Sequence, residues 1–374
     1  MYRYLDYNAS YPSPPAHIQA VAAVLCKDPG GNPSSIHHYG RSAKLLMEEA
    51  RANLAKLLGS EKSAIIFTSG ASEANNLVVA GVVAKSTLAL PEVVYSAGEH
   101  PSLIEPILRL LSEGRCTARE IPLTASGEVD EAALLAAISP QTVLAAICHV
   151  QGEVGCCNSV NTLARRIKKI NPHTHVHVDG VQGFAKLPCS WVGTSALDSY
   201  ALSGHKIGAF KGIGALWLRP RTPMPGFIVG GGQEHRLRSG TENIPGIVSL
   251  GLRAAYILAK PQWLDQARQL TQQLRAELGA IPGVVLHGEA REYMTTVNFH
   301  VSGKRLEGLL LRFDMAGVCI SSGTACASGD RKPSRVLLAM GLASEAAENS
   351  LRVSLGEEST AEDCAAVLAI IRKL

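Results

Sequence analysis

From about residue 60 to about residue 220 the chain alternates short apolar runs with amphipathic stretches, and this alternation limits the possible folds more than any other feature. Residues 64–67, 93–96, 143–150, 175–179, 199–202 and 214–218 each read as a strand bounded by turn residues. Residues 131–138 and 161–170 between them space their apolar positions as helices do. A parallel crossover needs a dozen or more residues, and its helix covers the sheet face it crosses, so the pattern predicts a mostly parallel sheet flanked by helices. After Gly230-Gly231-Gly232 the character changes. Residues 247–260 and 263–278 predict long helices, 295–301 a strand, 306–315 a helix and 351–355 a strand. The expected class is α/β, with a large domain over residues 15–255 and a mostly parallel, mixed sheet. A smaller α+β domain is expected from residues 1–14 and 256–374.

Composition narrows the function. With 374 residues, 46% of them hydrophobic, a large core is possible. The net charge is +4 and the basic residues are dispersed, which argues against a nucleic-acid surface. No basic stretch followed by an apolar run opens the sequence, and runs such as 77–84 are too short to span a bilayer. The reading is a soluble, cytoplasmic protein with no membrane partner. Nine cysteines, an odd number without an export signal, argue against a disulfide framework. No C-x-x-C pair occurs, and no metal site is expected; His173, His175 and His177 offer a weaker metal reading, since alternate residues share a strand face.

Four constellations carry chemistry. Thr68-Ser69-Gly70-Ala71-Ser72-Glu73 follows one strand and opens a helix; such a turn presents free N–H groups to a phosphate, although Ser69 or Ser72 as a simple N-cap explains it too. In Val176-His177-Val178-Asp179-Gly180-Val181-Gln182 an acid sits at a strand's C-terminal end, where open α/β sheets keep their ligand crevice. Asp179 there is either a helix cap or the partner of a protonated pyridine nitrogen. Ser203-Gly204-His205-Lys206 ends the next strand with a lysine, either a solvated loop charge or an amine aimed into the crevice. The loop 321–330, Ser-Ser-Gly-Thr-Ala-Cys-Ala-Ser-Gly-Asp, is small, polar and glycine-rich, and it sets Cys326 in a mobile, exposed setting suited to reactivity. Taken together, 69–72, Asp179 and Lys206 supply three anchors for one aromatic phosphate: phosphoryl group, ring nitrogen and aldehyde carbon.

These motifs, in this order, resemble the cysteine desulfurases of the NifS/IscS-like, iron–sulfur-assembly group, within the fold-type I pyridoxal-phosphate enzymes of the class V aminotransferase superfamily. The resemblance runs nearly end to end. It includes Tyr4-Leu5-Asp6-Tyr7-Asn8-Ala9, Gly31-Asn32-Pro33-Ser34-Ser35, Glu99-His100, Gly230–Glu234 in the order Gly-Gly-Gly-Gln-Glu, Arg238-Ser239-Gly240-Thr241, and Ser350-Leu351-Arg352-Val353-Ser354. The resemblance implies pyridoxal 5′-phosphate as cofactor, held covalently by Lys206, with Asp179 on its ring nitrogen and Gln182 and His100 on its ring. Ala71, Ser72, Ser203 and His205 would hold the phosphate, joined by Thr241 from the second subunit of a homodimer. Arg352 and Asn32 would bind the substrate L-cysteine, Cys326 would accept its sulfur, and His100 would shuttle the thiol proton. A sulfur-acceptor protein is implied as partner.

Two departures stand out. Where the family carries two asparagines after its fourth strand, this chain reads His149-Val150-Gln151-Gly152-Glu153. The hydrogen bond that the second asparagine gives the cofactor's phenolic oxygen is therefore lost, or comes from Gln151 or water. Members that dock a scaffold often extend further past the last helix, which leaves the acceptor open. A selenocysteine lyase or another C–S lyase, in which Cys326 is dispensable, is the alternative activity; a non-catalytic subunit with a degenerate desulfurase fold is a further one.

Overall fold

The structure is a computed structural model and describes residues 2–27, 30–289, 295–322 and 333–374. The chain opens with β1 (Arg3–Tyr4), α1 (Pro15–Lys27) and α2 (His38–Leu58), then enters the central sheet at β2 (Ile65–Thr68). Helix α3 (Ala71–Lys85), β3 (Glu92–Ser96), α4 (Pro101–Ser112), β4 (Thr117–Ile121), α5 (Glu131–Ala137), β5 (Thr142–Cys148), α6 (Val160–Ile170), β6 (His175–Asp179), β7 (Ser199–Ser203) and β8 (Gly214–Leu218) follow. The seven strands lie in the order β2-β8-β7-β6-β5-β3-β4. Only β8 runs against the others, pairing antiparallel with both β2 and β7.

Successive strand residues point to opposite faces, so a sheet covered on both sides must be apolar at odd and even positions alike. The strands meet that demand. Ile65 and Phe67, Val94, Ala145 and Ile147, Val176 and Val178 join one core with α2, α6 and α7 (Ile244–Ala259). Ile66, Val93 and Tyr95, Leu144 and Ala146 join a second core under α3 and α4. The mixed, mainly parallel sheet flanked by helices is the architecture expected. Edge strand β4, absent from the expectation, is mostly exposed, so its residues Thr-Ala-Arg-Glu-Ile show no apolar alternation.

Beyond α7 come α8 (Asp265–Gly279), β9 (Val284–His287), β10 (Thr296–Val301), α9 (Leu306–Met315), β11 (Val318–Cys319), β12 (Ser321–Ser322), α10 (Arg335–Ala339), α11 (Ser344–Glu348), β13 (Leu351–Ser354) and α12 (Ala361–Ile371). Strands β12, β13, β10 and β9 form an antiparallel sheet. The N-terminal segment is stitched to this part: β1 pairs with β11, and Asp6 bridges to Ser354. Among the described residues no helix is long and apolar enough to cross a membrane.

Candidate active site

The ends of β2, β6 and β7 open on one edge of the sheet, the side on which open α/β sheets bind ligands. Thr68 and Ser203 both lie opposite Gly214. A Cβ on Gly214 would come within 2.7 Å of the Gly70 backbone, so only glycine lets the β2–α3 turn settle beside β7. Gly70 is the N-cap of α3, and no side chain caps it. The N-cap role weighed for Ser69 or Ser72 is thus not the arrangement formed. Helix α3 keeps backbone donors and its positive dipole end for an anion, with Ser203 Oγ the nearest atom to a Cβ built at Gly70. Ala71 is buried in the first turn and Ser72 exposed.

Asp179 is buried at the end of β6 and accepts from Val181 N (3.0 Å) and from Asn75 Nδ2 of α3 (2.9 Å). Asn75 Nδ2 also donates to Ser102 Oγ at 2.9 Å. Its Oδ1 must therefore accept, and the partner is His177 Nε2 at 3.0 Å. His177 Nδ1 is then an acceptor for Ser199 Oγ (2.8 Å), whose oxygen lies 2.7 Å from His175 Nε2. His175 and His177 are neutral: burial lowers their pKa values to about 4 and about 3. They serve as packed hydrogen-bond partners on the α3 side of the sheet.

The same network reaches His100, the N-cap of α4. Ser102 N–H donates to His100 Nδ1 at 3.1 Å and Ser102 Oγ lies 2.9 Å from it, so the neutral ring carries its proton on Nε2. Desolvation lowers the His100 pKa, with Asp179 opposing and Lys206 adding to the shift. Beside Asp179, Glu99 is fully enclosed, and neither of its carboxyl oxygens has a partner among the described residues. Burial first, then the Asp179 charge, raise its pKa well above the carboxylate range, which keeps it protonated.

Lys206 ends a 3₁₀ turn after β7. Its Nζ donates to the carbonyls of Asn8 (2.6 Å) and Ala9 (3.0 Å). Desolvation, then the Arg352 charge, lower its pKa to about 8, against the pull of Asp179 and Asp6. Lys206 thus feels the charges of Arg352, Asp179 and Asp6, and His100 those of Asp179 and Lys206. His205, next to Lys206, is half-buried and neutral, its pKa lowered to about 4 by desolvation and nearby lysines. Arg352, buried on β13, donates from Nη2 to Asp6 Oδ1 (2.8 Å) and Ser321 Oγ (2.9 Å), and from Nη1 to Gly152 O (3.2 Å). Its buried Nε has no partner among the described residues.

The model of the family described as "Aminotransferase class-V" matches residues 3–367. The chain belongs to the class-V aminotransferase family. A cysteine desulfurase IscS of Dictyoglomus turgidum is 33% identical over 374 residues, covering 99% of this chain and 94% of that protein. The cysteine desulfurase IscS 1 of Archaeoglobus fulgidus is 33% identical, with 98% and 95% covered. A solved "NIFS-like protein" superposes with a TM-score of 0.91 at 29% identity over 100% of this chain and 99% of the other. The structure described as "SspA in complex with cysteine" gives a TM-score of 0.81 at 29% identity, over 96% and 100%. Class-V enzymes of this kind depend on pyridoxal 5′-phosphate. The residues fit that group: uncapped N–H donors at α3, a buried carboxylate fixed by two donors, and an amine of lowered pKa.

Around this class-V site the other expected residues are placed as follows. Gln182 donates from Nε2 to Asn8 O (2.9 Å) and accepts at Oε1 from Lys186 Nζ (2.7 Å). Gln151 Oε1 accepts from Glu153 N (2.6 Å) and Val154 N (3.0 Å), so its oxygen is committed to the turn around Gly152. Asn32 is exposed and its Oδ1 accepts from Ser34 N (2.9 Å); Thr241 is exposed on the loop before α7. Neither is hydrogen-bonded to the Lys206 group among the described residues. Cys326 lies outside the described residues. Sequence reasoning gave no role to Asp6, Asn8, Asn75, Ser102 or Lys186. A buried asparagine on the apolar face of α3 is the one local signal that was available, since such a residue must find partners.

Proposed function

We propose that this chain is a cysteine desulfurase, taking sulfur from L-cysteine to leave L-alanine and a persulfide on Cys326. The observation that carries the reading is an arrangement: Lys206 just past the end of β7, its Nζ on the carbonyls of Asn8 and Ala9, with buried Asp179 at the end of β6 and the uncapped N-terminus of α3. When bound, pyridoxal phosphate withdraws electrons from the substrate, making its Cα proton acidic and its Cβ–Sγ bond breakable. Lys206 would hold the cofactor covalently, Asp179 its ring nitrogen, and Gln182 and His100 its ring. The phosphate would be held by Ala71, Ser72, Ser203 and His205, with Thr241 supplied by a second copy of the chain in a homodimer.

Arg352 is the carboxylate clamp, its guanidinium fixed in place by Asp6, Ser321 and Gly152 O, with Asn32 assisting. An amine of pKa about 8 is partly unprotonated near neutral pH, so Lys206 can take the Cα proton as a general base. His100 Nε2 exchanges the proton of the substrate thiol. Cys326, as a thiolate, attacks the substrate sulfur: an S–S bond forms, the Cβ–Sγ bond breaks with its electron pair left on carbon, and Cβ takes up a proton on the way to alanine. No outside oxidant is needed. We further take residues 15–255 as a large cofactor-binding domain, and 1–14 with 256–374 as a smaller one carrying Cys326. The persulfide would pass to an acceptor protein in the cytoplasm, with iron–sulfur cluster assembly as one destination.

Mass spectrometry after incubation with cysteine tests the reading. One added sulfur on the peptide carrying Cys326 is expected, together with loss of turnover in Cys326→Ala. Full alanine production by Cys326→Ala, with no sulfur on that peptide, would overturn the persulfide route in favour of a C–S lyase.

A further inference from the structure

Lys186 is a buried lysine, 8% exposed, and none of the ion pairs among the described residues includes it. Its ammonium is served only by neutral oxygens: Gln182 Oε1 at 2.7 Å and Asn8 Oδ1 at 3.4 Å. A buried lysine without a carboxylate is costly and is kept only where something depends on it. Its pKa falls to about 7, by desolvation and then by the charges of Lys206 and Arg352.

The backbone delivers it there under strain. Residues 180–187 form successive turns, with Phe184 N bonded to Gly180 O and Leu187 N to Gly183 O. Gln182 and Lys186 meet across these turns, Lys186 Nζ lying 2.7 Å from Gln182 Oε1. Ala185 interrupts the run with φ of +57°, a left-handed conformation that residues bearing a Cβ adopt at a cost. Two long side chains hold it in place: Trp263 Nε1 donates to Ala185 O (2.9 Å), and Arg268 donates to Lys186 O.

Lys186 Nζ donates to Gln182 Oε1 while the carbonyl of Asn8, which can only accept, faces the other end of the amide, so the oxygen is the atom toward Lys186. The amide nitrogen must then point the other way. One of its hydrogens goes to Asn8 O, the carbonyl that also receives Lys206, and one is left over. Gly152 lies alongside: a Cβ there would sit in ordinary contact with Gln182 Nε2, at 3.4 Å. We infer that Lys186 is a positioning residue that locks the Gln182 amide with its N–H end toward the cofactor site, making this glutamine the side-chain amide donor there in a chain that has glycine at 152.

The inference rests on the pyridoxal-phosphate reading and is tested on the apo and cofactor-loaded protein. Lys186→Met, Gln182→Met and the double variant are compared for pyridoxal phosphate dissociation constant, visible absorption maximum and apo thermal midpoint. Lys186→Met is expected to fold with an unchanged or higher midpoint, since it removes a lone buried charge. It should weaken cofactor binding about tenfold, roughly one hydrogen bond to a polar group, and shift the absorption maximum as Gln182→Met does. The double variant should match Gln182→Met, because Lys186 acts only through that side chain. A Lys186→Met protein with wild-type affinity and spectrum overturns the inference, as does a double variant that shows the sum of both losses. Wild-type chain that takes up no pyridoxal phosphate overturns the functional reading itself, and this one with it.

Discussion

Asn75 commits both amide hydrogens and its carbonyl inside the protein, and the direction of every proton from Asp179 to His175 follows from that. Because the residue is wholly enclosed, removing it strands three polar groups at once. Asn75→Leu, similar in volume, is therefore expected to lower stability by about 2–4 kcal/mol, measured by urea unfolding. A loss below about 0.5 kcal/mol would show that water restores the network. Sequence reading singled out Asp179 and Lys206 because each follows an apolar strand with a chemistry-bearing side chain, whereas Arg352 enters only through the family resemblance. It passed over Asn75, Asn8 and Lys186, whose meaning lies in partners brought together by the fold: Asn8 meets Thr296 and Ser354, hundreds of residues away.

Elements were legible to the extent that their burial was symmetrical. Strands covered on both faces announced themselves as apolar runs, and α9 begins and ends where its apolar spacing predicts. The edge strand β4 and the turn after β6 did not, since one is mostly exposed and the other is held by distant side chains rather than by its own pattern. That turn makes its own prediction. At Ala185 the left-handed backbone costs on the order of 1 kcal/mol, which glycine would not incur, while a β-branched side chain would incur more. Ala185→Gly should be neutral to stabilising by about 1 kcal/mol and Ala185→Val destabilising by about 2 kcal/mol or more, read from urea midpoints. Equal losses in both would mean that packing of the methyl, not backbone conformation, governs the site.

Across the whole molecule, pH enters through buried groups. His17, His149, His175, His205 and His287 have pKa values lowered to about 4, and His177 to about 3, chiefly by burial. The unfolded chain binds protons at these six sites near pH 6.5 while the folded chain does not, so stability is full above 6.5 and falls as the pH drops toward 4. Glu99 and Glu153 act oppositely: burial raises both, Glu153 to about 7, so the folded state gains on acidification between there and 4.5. Six sites outweigh two. The three most enclosed histidines alone are worth on the order of 3 kcal/mol each by pH 4. Thermal midpoints measured from pH 7.5 to 4 should therefore fall steadily below 6.5; a flat profile would mean that these rings charge without unfolding the protein.

The stitching of the N-terminal segment has a consequence for biosynthesis. Asp6 and Asn8 are synthesised 288 to 346 residues before their partners Thr296, Arg352 and Ser354. A nascent chain lacking β13 has a lysine but no finished seat for it. The cluster of Asp6, Arg352 and Ser354 is thus completed only once β13 has been made, long after Lys206 itself.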